Sequence, residues 1–342
     1  MNARVPAPSP PTIVDVARRA GVSVATVSRA LRNHPYVAES TRARVVKAAG
    51  ELHYVADANA SRLASGRSNT IGVLAPILTS WYTSEIVAGI EEILQQAQLD
   101  LLISTKGLPD RHNRFALDTS FRQRVDGIIT VDVFLRESGA RAVVDAGIPA
   151  VVLGEQVQAV PSLSIDNRLG AEMATRHLLE LGHTRVGVIG GLITPSIEPS
   201  VPSQRMQGYL DALEAQRLKR ERRLVADGNF TIEGGRRAAR RLLSSPHPPT
   251  AIFCMSDEMA FGAMQTAREM GFSVPADLSL MGFDGHPVSE TVGLSTIHQP
   301  VREMGRLAAR LMTNILGGHE SVARHHPQGV ALIARSSSAA VA

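Results

Sequence analysis

From Thr70 onward the chain alternates continuous apolar runs with amphipathic stretches, and few folds satisfy that pattern. Residues 71–75, 101–104, 127–131 and 150–153 read as strands, with helical spacing over 84–98 and 111–123. A second series starts at Asn167. It predicts a helix to 181, a strand over 186–189, and helices over 204–218 and 231–243. A strand over 251–254, a helix over 258–270 and a strand over 278–282 complete it. Strands without a polar face are covered on both sides, and intervening helices make them parallel. The expected body is therefore α/β, with two Rossmann-like parallel-sheet subdomains. Ligands of such folds sit beyond the carboxyl ends of the strands.

The first 70 residues have a different character. They hold ten Lys/Arg and four acids, a net of +6, whereas the rest holds 26 Lys/Arg and 28 acids, a net of −2. A basic head on a slightly acidic body fits either a solvated Arg-rich tail or a nucleic-acid-binding module. Thr12-Ile13-Val14-Asp15 fits a capping box, followed by Ile13, Val16, Ala17 and Ala20 at helical spacing. Gly21 supplies the sharp exit from that helix. Ser23 can cap a second helix over 24–31. Its apolar face is Val27, Ala30 and Leu31, with Val24, Ala25, Ser28, Arg29 and Arg32 pointing outward. A third helix is expected over 39–53, with Val45, Val46, Ala49 and Leu52 inward and Gly50 as a weak point. Two short helices joined by a Gly-containing turn make a helix-turn-helix.

Several function classes fall away. With 44% hydrophobic and 20% charged residues a large core can form, so the chain is not a disordered protein. No apolar run reaches the ~18 residues of a membrane span, and residues 1–11 lack a signal-like apolar region; a soluble cytoplasmic protein is expected. A single cysteine, Cys254, permits neither an internal disulfide nor a Cys-based zinc site. Gly187-Val-Ile-Gly-Gly191 lacks dinucleotide spacing, and the loop pair His325-His326 lacks spaced partners, so no cofactor and no metal are expected.

The stretch from Thr12 through Leu31, with Asp15-Val-Ala, Ala20-Gly-Val-Ser and Thr26-Val-Ser-Arg, closely resembles the head of LacI/GalR-family bacterial transcription regulators. The likeness continues in Asp166-Asn167, Leu181-Gly182-His183, Arg205, Ser256-Asp257, Gly282-Phe283-Asp284, Gln299-Pro300 and Ala334-Arg335-Ser336. The resemblance implies a small all-α helix-turn-helix head and a body of the periplasmic-binding-protein type. The domains are then a disordered tail at 1–11, a DNA-binding domain at 12–56, a hinge and linker at 57–69, and an effector-binding and dimerisation domain at 70–342. Its N-subdomain spans about 70–165 and 298–325, and its C-subdomain about 166–297 and 326–342.

In that family the second helix enters the major groove. Carried over, Val24, Ala25 and Arg29 face base edges, while Ser23, Thr26 and Ser28 bind mainly phosphate. Val24 and Ala25 can read only by apolar contact, and Arg29 either grips guanine or holds phosphate. The resemblance makes 57–64 a hinge helix that folds on DNA, with Asn59 as a contact and Leu63 as the wedge between base steps. Ala56 stands where the family usually has Pro, and Ala38 where it has a Ser cap.

The expected effector site is Arg205, whose fork suits vicinal hydroxyls or a carboxylate, Asp284 as an acceptor, Ser256 and Asp257, and Phe230 as a stacking ring. Trp81 and Tyr82 join them, although the family often has Asn-Pro-Phe-Phe there. Asp257 could equally cap a helix, Trp81 could be plain packing, and His183 is expected to be structural. The implied function is a transcriptional regulator, a repressor foremost, that binds inverted-repeat double-stranded DNA as a homodimer or tetramer under a carbohydrate-like effector. It is not an enzyme. A sugar-binding transport protein and a sugar- or nucleoside-processing enzyme are the alternatives on the same body fold. The basic head argues against the first; the second needs a carboxylate pair or metal cluster that the sequence does not display.

Overall fold

The computed structural model describes residues 11–31, 34–54, 67–75, 77–105, 119–133, 135–191, 200–319 and 325–341. The chain divides into two compact units, Met1–Ser68 and Asn69–Ala342. Residues 1–10 of the expected tail and residues 57–66 of the expected hinge and linker, with Asn59 and Leu63, lie outside the described residues.

The head is three helices, α1 (Ile13–Ala20), α2 (Val24–Leu31) and α3 (Glu39–Glu51). Asp15 accepts hydrogen bonds from the Thr12 amide (2.9 Å) and hydroxyl (2.7 Å), closing the start of α1. Gly21 ends it at φ +63°, a conformation open to Gly without steric cost. The Ser23 hydroxyl accepts from the Thr26 amide at 3.2 Å and starts α2. Val16, Ala17, Ala20, Val27, Ala30, Val37, Val45, Ala48 and Ala49 form the head's core. Two expectations fail here. Val46 is 55% exposed and Leu31 36% exposed. Ala48 takes the place expected for Val46, because the inward stripe of α3 advances by three and four residues from Val45.

The body contains two six-stranded sheets. The first sheet is built from β1 (Thr70–Leu74), β2 (Asp100–Ser104), β3 (Gly127–Val131), β4 (Ala150–Leu153), β5 (Ser162–Ile165) and a late strand over 325–328. Its helices are α4 (Trp81–Gln96), α5 (Thr119–Arg122) and α6 (Arg136–Asp145). The chain then crosses to the second lobe. There α7 (Asn167–Glu180), β6 (Val186–Gly190), α8 (Val201–Ala215), β7 (Val225–Asp227) and α9 (Ile232–Leu243) come first. They are followed by β8 (Ala251–Cys254), α10 (Asp257–Glu269), β9 (Ser279–Asp284), α11 (Pro287–Thr291) and β10 (Ser295–His298). The chain returns in α12 (Val301–Leu316) and β11 (His325–Gln328), and crosses a third time into β12 (Ala331–Ile333).

The sheet orders are β11-β5-β4-β3-β1-β2 and β12-β10-β9-β8-β6-β7, and every pairing is parallel except β10 with β12. β1, β3, β4, β6, β8 and β9 are buried along their whole length, as continuous apolar runs require. Because β11 pairs with β5, the first lobe extends to Gln328, three residues past the boundary expected at 325. His325-His326 thus lies in a strand rather than a loop, with His325 Nδ1 3.1 Å from the Ser162 hydroxyl.

Three helix starts fall earlier than expected, and each has a capping cause. Ser80, Ser200 and Ser256 accept from the amides of Thr83, Ser203 and Met259, so α4, α8 and α10 begin earlier than their apolar spacing suggests. Of the helix expected over 111–123, Thr119–Arg122 is described. α4 and α12 cross so closely that a Cβ on Gly89 would lie 2.1 Å from the Arg302 carbonyl oxygen.

Candidate functional site

A cleft of about 500 Å³ lies between the lobes, where the carboxyl ends of the strands meet. The first lobe supplies Ser80, Tyr82, Asp132 and Gly154. The second supplies Arg205, Phe230, Ser256, Glu258 and Asp284, and the crossings supply Asn167 and Gln299.

Arg205 organises the second lobe's side. It is 4% exposed and projects from α8. Its Nε donates to Asn167 Oδ1 at 2.8 Å, and Nη1 donates to the Met255 carbonyl oxygen and to Asp284 Oδ1, the latter at 3.4 Å. Its guanidinium lies 3.5 Å from the centre of the Phe283 ring, so one face is covered by an aromatic quadrupole. Gln299 Nε2 donates to the same Asp284 oxygen at 2.8 Å. The two crossing residues Asn167 and Gln299 are thereby tied to the charged pair. A ligand that pulls on Arg205 or Asp284 also loads the segments joining the lobes.

Asp284 ends β9 with φ +120°, a costly backbone state for a non-glycine residue. Burial pushes its carboxyl up to about 8 against the pull of Arg205, with Asp257 raising it further. Burial also lowers the Arg205 guanidinium from its ordinary value, opposed chiefly by Asp284. Phe230 sits in a turn where both it and Asn229 have positive φ. Gly191 makes room for its ring, since a Cβ there would lie 2.2 Å from a Phe230 carbon.

Tyr82, Arg205, Phe230, Ser256 and Asp284 therefore line one cleft; Trp81 and Asp257 do not. The Asp257 carboxylate is fully buried and accepts from the Thr296 hydroxyl (2.6 Å), the His286 amide (2.7 Å) and the Ser289 hydroxyl (2.8 Å). It staples β10 and α11 to the start of α10, while Ser256 does the capping. The Trp81 ring packs on His286 of the second lobe, centroids 4.6 Å apart. His183 is buried and holds Thr250, Ser279 and the Ala339 carbonyl oxygen at 3.0, 3.0 and 3.1 Å.

Asp132, Asn167, Glu258 and Gln299 escaped the sequence-based site. Asn167 and Gln299 stand inside motifs that were noticed, Asp166-Asn167 and Gln299-Pro300. Asp132 follows strand β3 directly, and that position was the available signal. In the head, Val24, Ala25 and Arg29 are exposed and Thr26 and Ser28 are half-buried. Arg18 and Arg19 pair with Asp15 and Glu51, whereas Arg29 has no ion pair among the described residues.

Comparison with known proteins settles the family. The family description "Bacterial regulatory proteins, lacI family" matches residues 12–57, and "Periplasmic binding protein-like domain" matches residues 175–338. The HTH-type transcriptional repressor CytR of Escherichia coli (strain K12) is 35% identical over 341 residues, 96% of this chain and 97% of that protein. The chain belongs to the lacI family of bacterial regulatory proteins. Among solved structures, a Lac repressor dimer bound to operator and the anti-inducer ONPF aligns with TM-score 0.82 and 29% identity. That alignment covers 97% of this chain and 100% of the other. A complex of the transcriptional regulator CelR with cellobiose aligns with TM-score 0.65 and 28% identity, covering 96% and 99%. These relatives are regulators, not enzymes. No helix among the described residues is long and apolar enough to cross a membrane.

Proposed function

We propose that this chain is a sequence-specific transcriptional repressor of the cytoplasm whose grip on operator DNA is set by a small polar effector of the carbohydrate class. The observation that carries the effector half is the Arg205–Asp284 pair, held by crossing residues Asn167 and Gln299 in the interlobe cleft. A cation with a planar fork and an adjacent fixed acceptor suit a ligand bearing hydroxyls. The DNA half rests on the exposed Val24, Ala25 and Arg29 of a capped second helix on a basic head.

The mechanism is a shift of populations. Effector favours one closure of the lobes, DNA favours another, and the effector acts on DNA affinity only through that difference. A homodimer reading an inverted repeat follows from the small surface that one recognition helix offers. The site residues Tyr82, Arg205, Phe230, Ser256 and Asp284 are assigned to the effector, and Ser23, Val24, Ala25, Thr26, Ser28, Arg29, Asn59 and Leu63 to DNA.

Titration of the full chain with its operator, with and without effector, tests the reading. Affinity should fall steeply with salt, and Arg29→Ala should cost about 1–3 kcal/mol of operator binding. An affinity indifferent to salt, to operator symmetry and to every candidate effector would refute it.

A further inference from the structure

The charged lining of the cleft is lopsided. Among the described residues Asp132, Glu258 and Asp284 face it, and Arg205 is the one cation that does. Much of that cation is already engaged: Nε serves Asn167, and Nη1 serves Met255 and Asp284. Among the described residues Nη2 has no protein partner, and the Oδ2 of Asp284 accepts from none.

Asp132 comes from the opposite lobe. It follows β3 at φ +50°, beside Gly154 at the end of β4. Gly154 has φ +109°, and a Cβ there would lie 2.3 Å from Asp132 Oδ1. The carboxylate occupies the space that a side chain at position 154 would fill. Tyr82 lines the cleft on the same lobe as Asp132, and Arg205 acts on that carboxyl from the second lobe. Burial raises both aspartates, Asp132 to about 6 and Asp284 to about 8. Near neutral pH Asp132 is therefore the more ionised of the two.

We propose that Asp132 is the first lobe's ligand-binding residue, and that the cleft selects an uncharged polyhydroxylated compound over the phosphate ester of that compound. This rests on the effector reading above. A hydroxyl both donates and accepts, so one ligand can give protons to Asp132 and Asp284 Oδ2 while taking one from Arg205 Nη2. The apolar side chains of Ile77, Phe230, Ile232 and Met304 cover its carbon faces. A phosphate ester cannot use that arrangement. Its oxygens mainly accept, it brings about −1.5 to −2 charges, and it meets the acids Asp132 and Glu258 with one partly committed guanidinium to offset them.

The test is a thermal-shift comparison on the full chain with paired probes: ribose and ribose 5-phosphate, glucose and glucose 6-phosphate, adenosine and adenosine 5′-monophosphate. At least one uncharged probe should raise the melting temperature while its phosphate ester does not. By calorimetry with that probe, Asp132→Asn should lose at least ~10-fold in affinity and narrow the preference for the uncharged form. A mere packing defect would leave that preference intact. Melting of unliganded Asp132→Asn, expected at or above wild type because a half-buried, desolvated carboxyl is gone, shows that the variant folds. The inference is overturned if no uncharged probe binds, if the esters bind as well, or if Asp132→Asn keeps wild-type affinity and preference. Arg205→Ala separates the two readings. Binding lost in Arg205→Ala but kept in Asp132→Asn defeats this inference and leaves the effector site standing. An uncharged probe that needs Asp132 yet leaves operator affinity unchanged defeats the regulatory reading and leaves this one standing.

Discussion

The two lobes of the body build their halves of the cleft in opposite ways. The second lobe offers a cross-linked cluster in which Arg205, Asp284, Asn167 and Gln299 satisfy one another before any ligand arrives. The first lobe offers Asp132, half-buried in a gap left by Gly154, with the Tyr82 phenol on the same side. Preorganisation on the second lobe leaves little for it to reorganise on binding, whereas the first lobe's Asp132 and Tyr82 are not tied into that network. The lesson is that affinity and specificity can be housed in different lobes of one fold.

The largest effect should come from breaking the preorganised side. Arg205→Ala leaves Asn167 Oδ1, the Met255 carbonyl oxygen and Asp284 Oδ1 without their shared donor, at about 1–3 kcal/mol in stability. It also removes a ligand donor, worth about 1–3 kcal/mol in effector binding. Chemical denaturation and effector calorimetry on the same variant measure both. A variant as stable as wild type would show that the cluster is not the rigid half.

The acidity of that cluster gives the next prediction. Burial raises Asp284 from 3.8 to about 8 in the folded protein, so folding favours its protonated form. The stability this confers is fully present below about 4 and is lost as pH rises through about 8. Asp257 and Asp132, each raised by burial to about 6, add a loss of the same sign at lower pH. Melting temperature should therefore fall between pH 6 and pH 8.5. Asp284→Asn, which has no proton to lose and tolerates positive φ, should flatten that fall. Equal pH slopes in variant and wild type would contradict the assignment.

Trp81→Leu should have the smallest effect. Its ring packs on His286 across the lobes and does not line the cleft. It should change effector affinity by less than about tenfold, through closure rather than contact. A loss as deep as that of Arg205→Ala would put Trp81 back among the ligand contacts and blur the contrast between the lobes.

Apolar periodicity, capping and charge carried the reading of this chain a long way. The parallel α/β character of the body and the head's helices were legible in local pattern, whereas Arg205, Phe230, Ser256, Asp284 and Tyr82 were placed in the site mainly by resemblance to the family. Helix starts at Trp81, Val201 and Asp257 were misjudged because a serine cap moves a helix end without changing its apolar stripe. What the fold alone decided were relations between distant segments. Asp257, which the sequence offered equally as a ligand or a cap, is neither, because Thr296 and Ser289 arrive from elements more than 30 positions away to use its carboxylate. Asp132's position after β3 was readable in the sequence, but its role became clear when the sheet set β3 beside β4 and put a glycine against its side chain. A carboxylate's role depends on which donors surround it and how much water it keeps, and both are fixed by tertiary packing rather than by neighbours in the chain.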